Sequence, residues 1–245
     1  MTVLDQIVER TRARLATRSR KPHAFAEALS RSGVNVIAEI KSASPSAGTI
    51  VETPEVETIA RSYRDGGAAA ISIVTEPEFF RGDLWWLRRA SAASGLPVIM
   101  KDFVVDPLQI AEGVAAGADA MLLLASLLTP EQIRQSIALL DACGCDALVE
   151  VHDEEELQRA IDGGARLIGV NNRDLRDFRV DLATSERLAR LIPPGVIKIA
   201  ESGIGTRDDV QRLRAAGFDA FLVGESLLRQ NDRAAAVRRL IEGDD

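Results

Sequence analysis

Cysteine, histidine and aromatic residues are scarce in this chain of 245 residues, which contains 2 cysteines, 2 histidines and 4% aromatic residues. Cys143 and Cys145 are too few for a tetrahedral zinc site or a disulfide framework, which predicts a reduced environment. No apolar run is long enough to span a membrane. The first residues also lack the apolar core of a signal peptide. The sequence therefore predicts a cytoplasmic protein that does not bind membranes.

Positive charge is lacking as well. The formal net charge is −7, and no dense block of lysine and arginine is present. The arginines between residues 10 and 20 have helical spacing, which indicates a solvated helix face. These features exclude a general nucleic-acid binder. With 46% hydrophobic and 27% charged residues, the composition is that of an ordinary globular protein.

What the sequence does have is a regular alternation of apolar strands and amphipathic helices. The predicted strands are 34–41, 69–74, 97–101, 119–124, 146–151, 166–171, 196–201 and 219–223. The predicted helices are 54–65, 84–93, 107–115, 130–142, 154–162, 182–191, 206–215 and 232–241. This alternation indicates parallel strands joined by right-handed crossovers. Eight units in about 210 residues predict an α/β fold, a (β/α)8 TIM barrel.

Two further helical segments, 3–19 and 23–30, precede the first strand. They predict an N-terminal helical extension over residues 1–32 that belongs to the same domain. No linker or low-complexity segment divides the chain, so we expect one domain over residues 1–245. No G-x-G-x-x-G loop follows Lys41, which argues against a doubly wound open sheet.

A glycine recurs about every 50 residues, each time just before an even-numbered strand. The four positions are Gly67, Gly117, Gly164 and Gly217. Each lies where a helix ends, so we expect each to adopt a positive φ. This twofold periodicity suits a barrel whose interior layers are filled from alternate strands.

Charged residues follow several predicted strands at their carboxyl ends, where TIM barrels have their active sites. Glu39 and Lys41 are two residues apart on one strand, so their side chains project to the same side. Charged groups are seldom buried without a partner, and their convergence therefore indicates an active site. The charged residues at this rim are Glu39, Lys41, Lys101, Glu150, Arg173 and Glu201.

Two glycine-containing loops, Ser202–Gly205 and Gly224–Leu228, follow the seventh and eighth strands. Loops at these positions are the usual phosphate site of TIM barrels, helped by a short helix. Ser44 and Lys41 can close over the same anion from the first loop. The rim therefore predicts a phosphorylated substrate.

The rim offers lysines and glutamates but neither a histidine nor a nucleophilic cysteine. Such a set suits proton transfer, with a lysine as general acid and a glutamate as general base. A second cation or an apolar wall is expected to lower the pKa of such a lysine. Schiff-base chemistry at Lys101 is the competing use of that residue. His152 lies past the fifth strand and is expected to help cap the next helix.

Six motifs at these strand ends together span nearly the whole chain. They are Glu39-Ile40-Lys41-x-x-Ser44-Pro45-Ser46-x-Gly48, Lys101-Asp102-Phe103-x-x-Asp106-Pro107, Val149–His152, Asn171–Leu175, Glu201–Ile204 and Gly224–Leu227. This set resembles the indole-3-glycerol-phosphate synthase family of tryptophan biosynthesis, which also has an N-terminal helical extension. The resemblance implies an enzyme that converts 1-(2-carboxyphenylamino)-1-deoxyribulose 5-phosphate to indole-3-glycerol phosphate, carbon dioxide and water without cofactor or metal.

The resemblance also implies roles for individual residues. Lys101 would protonate the substrate carbonyl, and Glu150 would be the acid and base of the dehydration. Lys41 would bind the anthranilate carboxylate, and Glu39 and Asn171 would hold Lys41, the substrate hydroxyls and each other in place. The other implied contacts are Arg173 to the carboxylate, Glu201 and Ser202 to the sugar, Phe103 and Leu175 to the aromatic ring, and Ser44, Gly203, Gly224, Glu225 and Ser226 to the phosphate.

The chain departs from the family pattern at a few positions. The first loop lacks the lysine that is often found near Ala47, and Leu108 replaces a common aromatic residue. Trp85 and Trp86 open the second helix, where core packing or an oligomer contact is expected. These differences bear on loop dynamics and substrate affinity, and the residues that carry the chemistry are unchanged.

Three alternatives to this function stay open from the residues. They are a phosphoribosylanthranilate isomerase, which shares the phosphate loops, an aldolase that forms a Schiff base through Lys101, and an inactive phosphosugar-binding module. In each case the partner is a small phosphosugar. We expect a monomer, with other enzymes of tryptophan biosynthesis as further partners.

Overall fold

A computed structural model of the chain describes residues 5–6, 9–10, 21–45, 48–174 and 178–243. Its barrel strands are β1 (Asn35–Ile40), β2 (Ala70–Val74), β3 (Val98–Lys101), β4 (Ala120–Leu124), β5 (Asp146–Val151), β6 (Leu167–Asn171), β7 (Ile197–Glu201) and β8 (Ala220–Val223). All pair in parallel, and β8 pairs with β1 to close the barrel. The predicted (β/α)8 TIM barrel is confirmed, and each strand lies within one residue of its predicted bounds.

The helices also follow the predicted pattern, to within two residues at each end. They are α1 (Ala24–Leu29), α2 (Val56–Asp65), α3 (Trp86–Ser94), α4 (Pro107–Ala116), α5 (Pro130–Ala142), α6 (Glu154–Asp162), α7 (Ala183–Ala189), α8 (Arg207–Ala215), α9 (Glu225–Leu228) and α10 (Arg233–Glu242). Of the predicted helix over 3–19, residues 5–6 and 9–10 are helical, and the rest lies outside the described residues. None of the described helices has the length and apolar character that crossing a membrane requires.

A small hairpin that was not predicted follows β1. It pairs Ala43–Ser44 with Gly48–Thr49 in antiparallel fashion. Strands of two residues carry no periodic signal, so the sequence alone does not indicate them. The hairpin is held to the loop after β2, because the backbone N–H of Ala43 donates to the Phe80 carbonyl at 3.2 Å.

Local sequence sets where several helices begin. Asp106 and Thr129 are the N-caps of α4 and α5, and each is followed by a proline that suits the first helical position. The side-chain oxygens of Gln109 and Gln132 accept a hydrogen bond from the N-cap backbone N–H, which completes two capping boxes. Each N-cap stabilises its helix by about 1 kcal/mol.

The repeated glycines adopt the predicted backbone conformation. The φ angle is 91° at Gly67, 101° at Gly117, 82° at Gly164 and 95° at Gly217. A side chain is disfavoured in this left-handed region, so glycine lets the chain turn sharply from each helix into the next strand. The prediction of four equivalent turns is confirmed.

The amino end of the barrel is closed by α1. Phe25 and Leu29 of this helix are buried in the same apolar cluster as the barrel interior. Asp146, at the start of β5, accepts a hydrogen bond from the Ala26 backbone N–H at 2.9 Å. The other oxygen of Asp146 lies 2.8 Å from His23 Nδ1. The carboxyl end therefore remains as the open end of the barrel.

The two adjacent tryptophans lie in different environments. Trp86 is buried among apolar residues between the strands and the outer helices, so its predicted core packing is confirmed. Trp85 is 64% exposed, so it does not pack in the core. One residue of helical rotation separates the two, which is enough to turn Trp85 to the surface.

Candidate active site

A cavity of about 920 Å³ opens at the carboxyl ends of the barrel strands. Most of the predicted site residues line it, namely Glu39, Lys41, Ser44, Lys101, Phe103, Glu150, Asn171, Arg173, Ser202, Gly203, Gly224, Glu225 and Ser226. Glu201 is fully buried and reaches the site through its contact with Lys101. Leu175 lies outside the described residues. The structure therefore brings the described members of the predicted set together at one end of the barrel.

Four ionic side chains form a layer across this end of the barrel. Glu39 comes from β1, Lys101 from β3, Glu150 from β5 and Glu201 from β7. Alternate strands of a TIM barrel fill the same interior layer, which explains why these side chains meet. We call these four residues the ionic layer.

Lys101 is the centre of the ionic layer. Its Nζ lies 2.6 Å from Glu201 Oε2 and 3.5 Å from Glu150 Oε2. Glu39 Oε2 is 3.9 Å away. Burial by itself would lower the pKa of Lys101, but the three carboxylates outweigh it and raise this pKa. The expectation of a lowered lysine pKa is therefore wrong at this position, because carboxylates surround Lys101.

Glu39 and Lys41 form the second ion pair of the site, and they project to the same side as predicted. The distance from Lys41 Nζ to Glu39 Oε1 is 2.7 Å. Burial opposes ionisation, but Lys41 and Lys101 hold the pKa of Glu39 below its ordinary value. Gly224 leaves space for this pair, since a β-carbon there would lie 2.5 Å from Glu39 Oε1.

Glu150 is held by three side chains, those of Asn171, Lys101 and His152. Its Oε1 accepts a hydrogen bond from Asn171 Nδ2 at 2.9 Å. Burial by itself would raise the pKa of Glu150, but Lys101, then His152, and the Asn171 hydrogen bond lower it. This hydrogen bond between Asn171 and Glu150 was not among the contacts that the resemblance implies for Asn171.

Glu201 has a different environment from Glu150. Its side chain is fully buried, and its Oε1 has no hydrogen-bond partner among the described residues. Burial, together with the nearby charge of Glu150, raises the pKa of Glu201 to about 7, although Lys101 opposes this. Near neutral pH, Glu201 therefore holds a proton for part of the time, 2.6 Å from Lys101 Nζ.

His152 is the functional candidate that sequence reasoning assigned differently. The N-cap of α6 is Asp153, whose side chain accepts from the Glu156 backbone N–H at 2.9 Å. The His152 ring instead lies between two carboxylates, 3.3 Å from Glu150 Oε1 and 2.9 Å from Glu156 Oε2. The signal for this position was the two-residue spacing from Glu150, which puts both side chains on one side of β5.

The glycine-containing loops after β7 and β8 meet at the cavity. Ser202 and Gly203 both have positive φ, 64° and 78°, and such strain in a non-glycine residue is typical of functional sites. Ser226 Oγ donates to the Ile204 carbonyl at 3.2 Å and so ties the two loops together. The carboxylate of Glu225 is neutralised by Arg229 at 2.8 Å, which limits its repulsion of an anion.

Apolar side chains also line the cavity. The rings of Phe80 and Phe103 pack with centroids 6.1 Å apart at an angle of 43°. Phe79 and Phe178 line the cavity as well, and Leu122 contributes from β4. We call the four phenylalanines the aromatic wall. Of these apolar residues, only Phe103 was predicted, because it alone belongs to one of the motifs at the strand ends.

The fold and the cavity together define the class of protein. A closed (β/α)8 barrel with a charged site at the carboxyl ends of its strands is a TIM-barrel enzyme. KGPDC from Streptococcus mutans, a solved structure, shares this fold, with a TM-score of 0.66 at 13% identity over 85% of this chain and 96% of that one.

Comparison with known sequences identifies the particular family. The family model of indole-3-glycerol phosphate synthase matches residues 3–240. The indole-3-glycerol phosphate synthase of Desulfosudis oleivorans is 42% identical over 98% of this chain and 98% of its own length. Indole-3-glycerol phosphate synthase 2 of Ralstonia nicotianae is 48% identical over 89% of this chain and 82% of its own length. The chain belongs to the indole-3-glycerol phosphate synthase family.

Membership of this family confirms two predictions made from the motifs. The predicted family is confirmed, and so is the prediction of a carboxy-lyase of tryptophan biosynthesis. The comparisons support this function and not the isomerase, the aldolase or the inactive binding module. The roles of single residues stay predictions.

Proposed function

We propose that the chain converts 1-(2-carboxyphenylamino)-1-deoxyribulose 5-phosphate to indole-3-glycerol phosphate by acid–base catalysis in the ionic layer. The observation that carries this proposal is the position of Lys101, whose Nζ lies within 3.9 Å of three carboxylates at the base of the cavity. The substrate brings a carboxylate, a phosphate and an aromatic ring. The cavity offers cations, two glycine-containing loops and an aromatic wall.

The substrate orientation follows from this division of the cavity. The phosphate binds between the loops that contain Gly203 and Gly224, with the Ser44 hydroxyl and the backbone N–H of Ser226 as donors. The anthranilate ring lies against Phe103, and its carboxylate faces Lys41 and Arg173. Loss of carbon dioxide requires this carboxylate to shed its charge, and an apolar wall beside the ring favours that step.

Lys101 acts as the general acid of ring closure. As the ring carbon that bears the carboxylate bonds to the substrate carbonyl carbon, the carbonyl oxygen becomes an alkoxide and takes a proton from Lys101. A developing alkoxide is a stronger base than the amine of lysine, so the raised pKa of Lys101 does not prevent the proton transfer. Partly protonated Glu201, 2.6 Å away, can return a proton to the lysine.

Glu150 acts in the second half of the reaction. After carbon dioxide has left, the hydroxyl formed at the former carbonyl carbon takes a proton from the reprotonated Lys101 and departs as water, and a proton leaves the adjacent carbon. A carboxylate with a lowered pKa is ionised at neutral pH and can take that proton. Asn171 orients Glu150 through its 2.9 Å hydrogen bond. Glu39 keeps Lys41 in place through the 2.7 Å ion pair.

The test is a fluorescence assay for formation of indole-3-glycerol phosphate from the carboxyphenylamino substrate. Lys101→Ala and Glu150→Gln are each expected to lower kcat by at least about a hundredfold, while product binding through the phosphate survives. Lys198→Ala is the matched control, because this lysine bonds to the Ala189 carbonyl away from the cavity. Turnover at the wild-type rate in either site variant contradicts the assignment, and borohydride trapping on Lys101 would favour a Schiff base.

We also propose that the enzyme is a single-domain monomer that works in the cytoplasm. Support comes from the paucity of cysteine, the net charge of −7 and the site, which is built from one chain. Sedimentation velocity over a range of concentrations checks this. A dimer that persists at nanomolar concentration contradicts it.

A further inference from the structure

Both histidines of the chain pair with carboxylates, at opposite ends of the barrel. His23 Nδ1 lies 2.8 Å from Asp146 at the closed amino end. His152 lies beside Glu150 at the open end, and its side chain is 14% exposed. The pair at the amino end fastens α1. The pair at the open end adjoins the ionic layer through Glu150.

His152 links the carboxylate of Glu156, which is 12% exposed, to the buried carboxylate of Glu150. Glu156 Oε2 accepts from the His152 backbone N–H at 2.9 Å and lies 2.9 Å from ring Nδ1, so it fixes both backbone and ring. Ring Nε2 then lies 3.3 Å from Glu150 Oε1. This second contact is electrostatic, because Nε2 makes no hydrogen bond of good geometry among the described residues.

Glu150 needs a second cation because Lys101 is shared. Lys101 lies closest to Glu201, at 2.6 Å, and is 3.5 Å from Glu150. Glu150 and Glu201 therefore compete for one buried ammonium group, and two carboxylates that share a cation favour keeping a proton between them. A cation on the other side of Glu150 stabilises the ionised form of Glu150, so the shared proton resides on Glu201.

The groups that face His152 favour its charged form. They are Glu150 on β5 and Glu156 on α6, and beyond Glu150 lie Lys101 on β3 and Glu201 on β7. Burial by itself would lower the pKa of His152, but its contacts with Glu150 and Glu156 raise it to about 10. The ring is therefore an imidazolium at neutral pH.

We propose that His152 is a positioning residue for the reaction: its imidazolium, fixed by Glu156, keeps Glu150 ionised and aimed at the cavity. The inference rests on the proposed function of Glu150 and deepens it. His152 does not touch the substrate. It acts by setting which of the two carboxylates carries the proton when the substrate arrives.

The kinetic test compares two uncharged replacements. His152→Asn keeps a polar group near Glu156 and loses the one near Glu150, whereas His152→Gln can reach Glu150. We expect His152→Asn to lower kcat about ten- to hundredfold with little change in KM. We expect the acid limb of the kcat profile, which reports ionisation of Glu150, to move up by about one pH unit. His152→Gln should retain more of kcat than His152→Asn does.

His23→Asn is the matched control, because it removes the other imidazole–carboxylate pair. It should lower the melting temperature and leave the kcat profile unchanged. A folded His152→Asn protein with wild-type kcat and an unmoved acid limb overturns the proposal. If His152→Asn does not fold, Glu156→Gln provides the test, since it removes the fixing charge from the surface side and should move the acid limb in the same direction.

A measurement independent of turnover separates this inference from the proposed function. Titration of the His152 imidazole by 15N NMR should show the charged form well above pH 8, and Glu150→Gln should lower the pKa of the ring by about one unit. A ring that titrates near pH 6.5 in both proteins overturns the inference. Full turnover of Glu150→Gln would instead contradict the acid–base role of Glu150, while the titration would still report the coupling.

Discussion

The carboxylate of Glu201 occupies the space that a β-carbon on Gly169 would fill. The two residues lie on adjacent strands, β6 and β7, and a β-carbon at position 169 would overlap Glu201 Oε1. Glycine at this position therefore permits the buried carboxylate to reach Lys101. The ionic layer therefore requires Gly169, although this residue has no side chain.

Gly169→Ala should accordingly damage activity more than the size of the change suggests. Glu201 has to move, and its 2.6 Å contact with Lys101 is lost or lengthened. We expect kcat to fall about a hundredfold, and the free energy of unfolding to fall by about 1–3 kcal/mol because of the added methyl group. Steady-state kinetics and urea unfolding check both values. A stable variant with full kcat would contradict the required role of glycine here.

The raised pKa of Glu201 predicts a pH dependence of stability. Between about pH 4.5 and 7 the folded state binds the proton of Glu201, whereas the unfolded chain releases it, so stability falls as pH rises. The slope from this group is at most about 1.4 kcal/mol per pH unit. Urea unfolding of the wild type and Glu201→Gln between pH 5 and 6.5 measures the difference.

This pH window isolates Glu201 from its neighbours. Glu39 and Glu150 have lowered pKa values, so their contributions are lost only as pH falls below about 4.5. His152 has a raised pKa, so its contribution is complete below about pH 6.5 and is lost as pH rises towards 10. Parallel stability curves for the wild type and Glu201→Gln would show that Glu201 is ionised in the folded protein.

Ser226→Ala should weaken substrate binding more than catalysis. The hydroxyl of Ser226 ties together the loops after β7 and β8, which are proposed to bind the phosphate. Loss of this hydrogen bond lets the two loops separate, which should raise KM about tenfold and leave kcat nearly unchanged. Ser62→Ala, which removes an exposed helix hydroxyl, is the control. An unchanged KM would place the phosphate elsewhere.

Asp146→Ala should loosen the closed end of the barrel without altering the chemistry. It removes a buried acceptor of the Ala26 backbone N–H and the partner of His23. We expect the free energy of unfolding to fall by about 2 kcal/mol, because a buried donor is left unpaired. Asp141→Ala, which breaks an ion pair with Arg166 near the surface, should cost at most about 0.5 kcal/mol. Equal losses in the two variants would argue against the anchoring of α1.

The barrel was predictable because its signals are local. Each strand is a short apolar run, and each helix has a start or stop signal such as the capping boxes at Asp106 and Thr129. The four glycines add a second signal, since positive φ is a requirement of the single residue. These properties do not depend on what the strands meet in space, so they can be read along the chain.

The membership of the site was predictable, and its electrostatics were not. Strand ends of a barrel share one rim, which puts Lys101 and Glu201 together although they are 100 residues apart in sequence. The direction of the Lys101 pKa shift depends on how many carboxylates lie within about 4 Å. That number follows from register and side-chain direction. The sequence therefore indicated a lowered pKa, whereas the packing produces a raised one.

Two parts of the site were missed for physical reasons. His152 was assigned to the cap of the helix that follows it. It is, however, two residues from Glu150, and side chains two residues apart on a strand lie on the same side. The aromatic wall draws Phe79, Phe80 and Phe178 from loops, and loops have no periodicity to reveal which way a ring points. Single-domain organisation over residues 1–245 stays a prediction.

The ionic layer takes one side chain from each odd-numbered strand, and Glu39 of this layer needs Gly224 directly after β8. Each half of the chain holds two of the four charged groups, so neither half can form the layer by itself. During refolding, we expect turnover to appear only after β8 has joined β1. Turnover therefore reports closure of the barrel, and it should lag behind the gain of helix measured by circular dichroism.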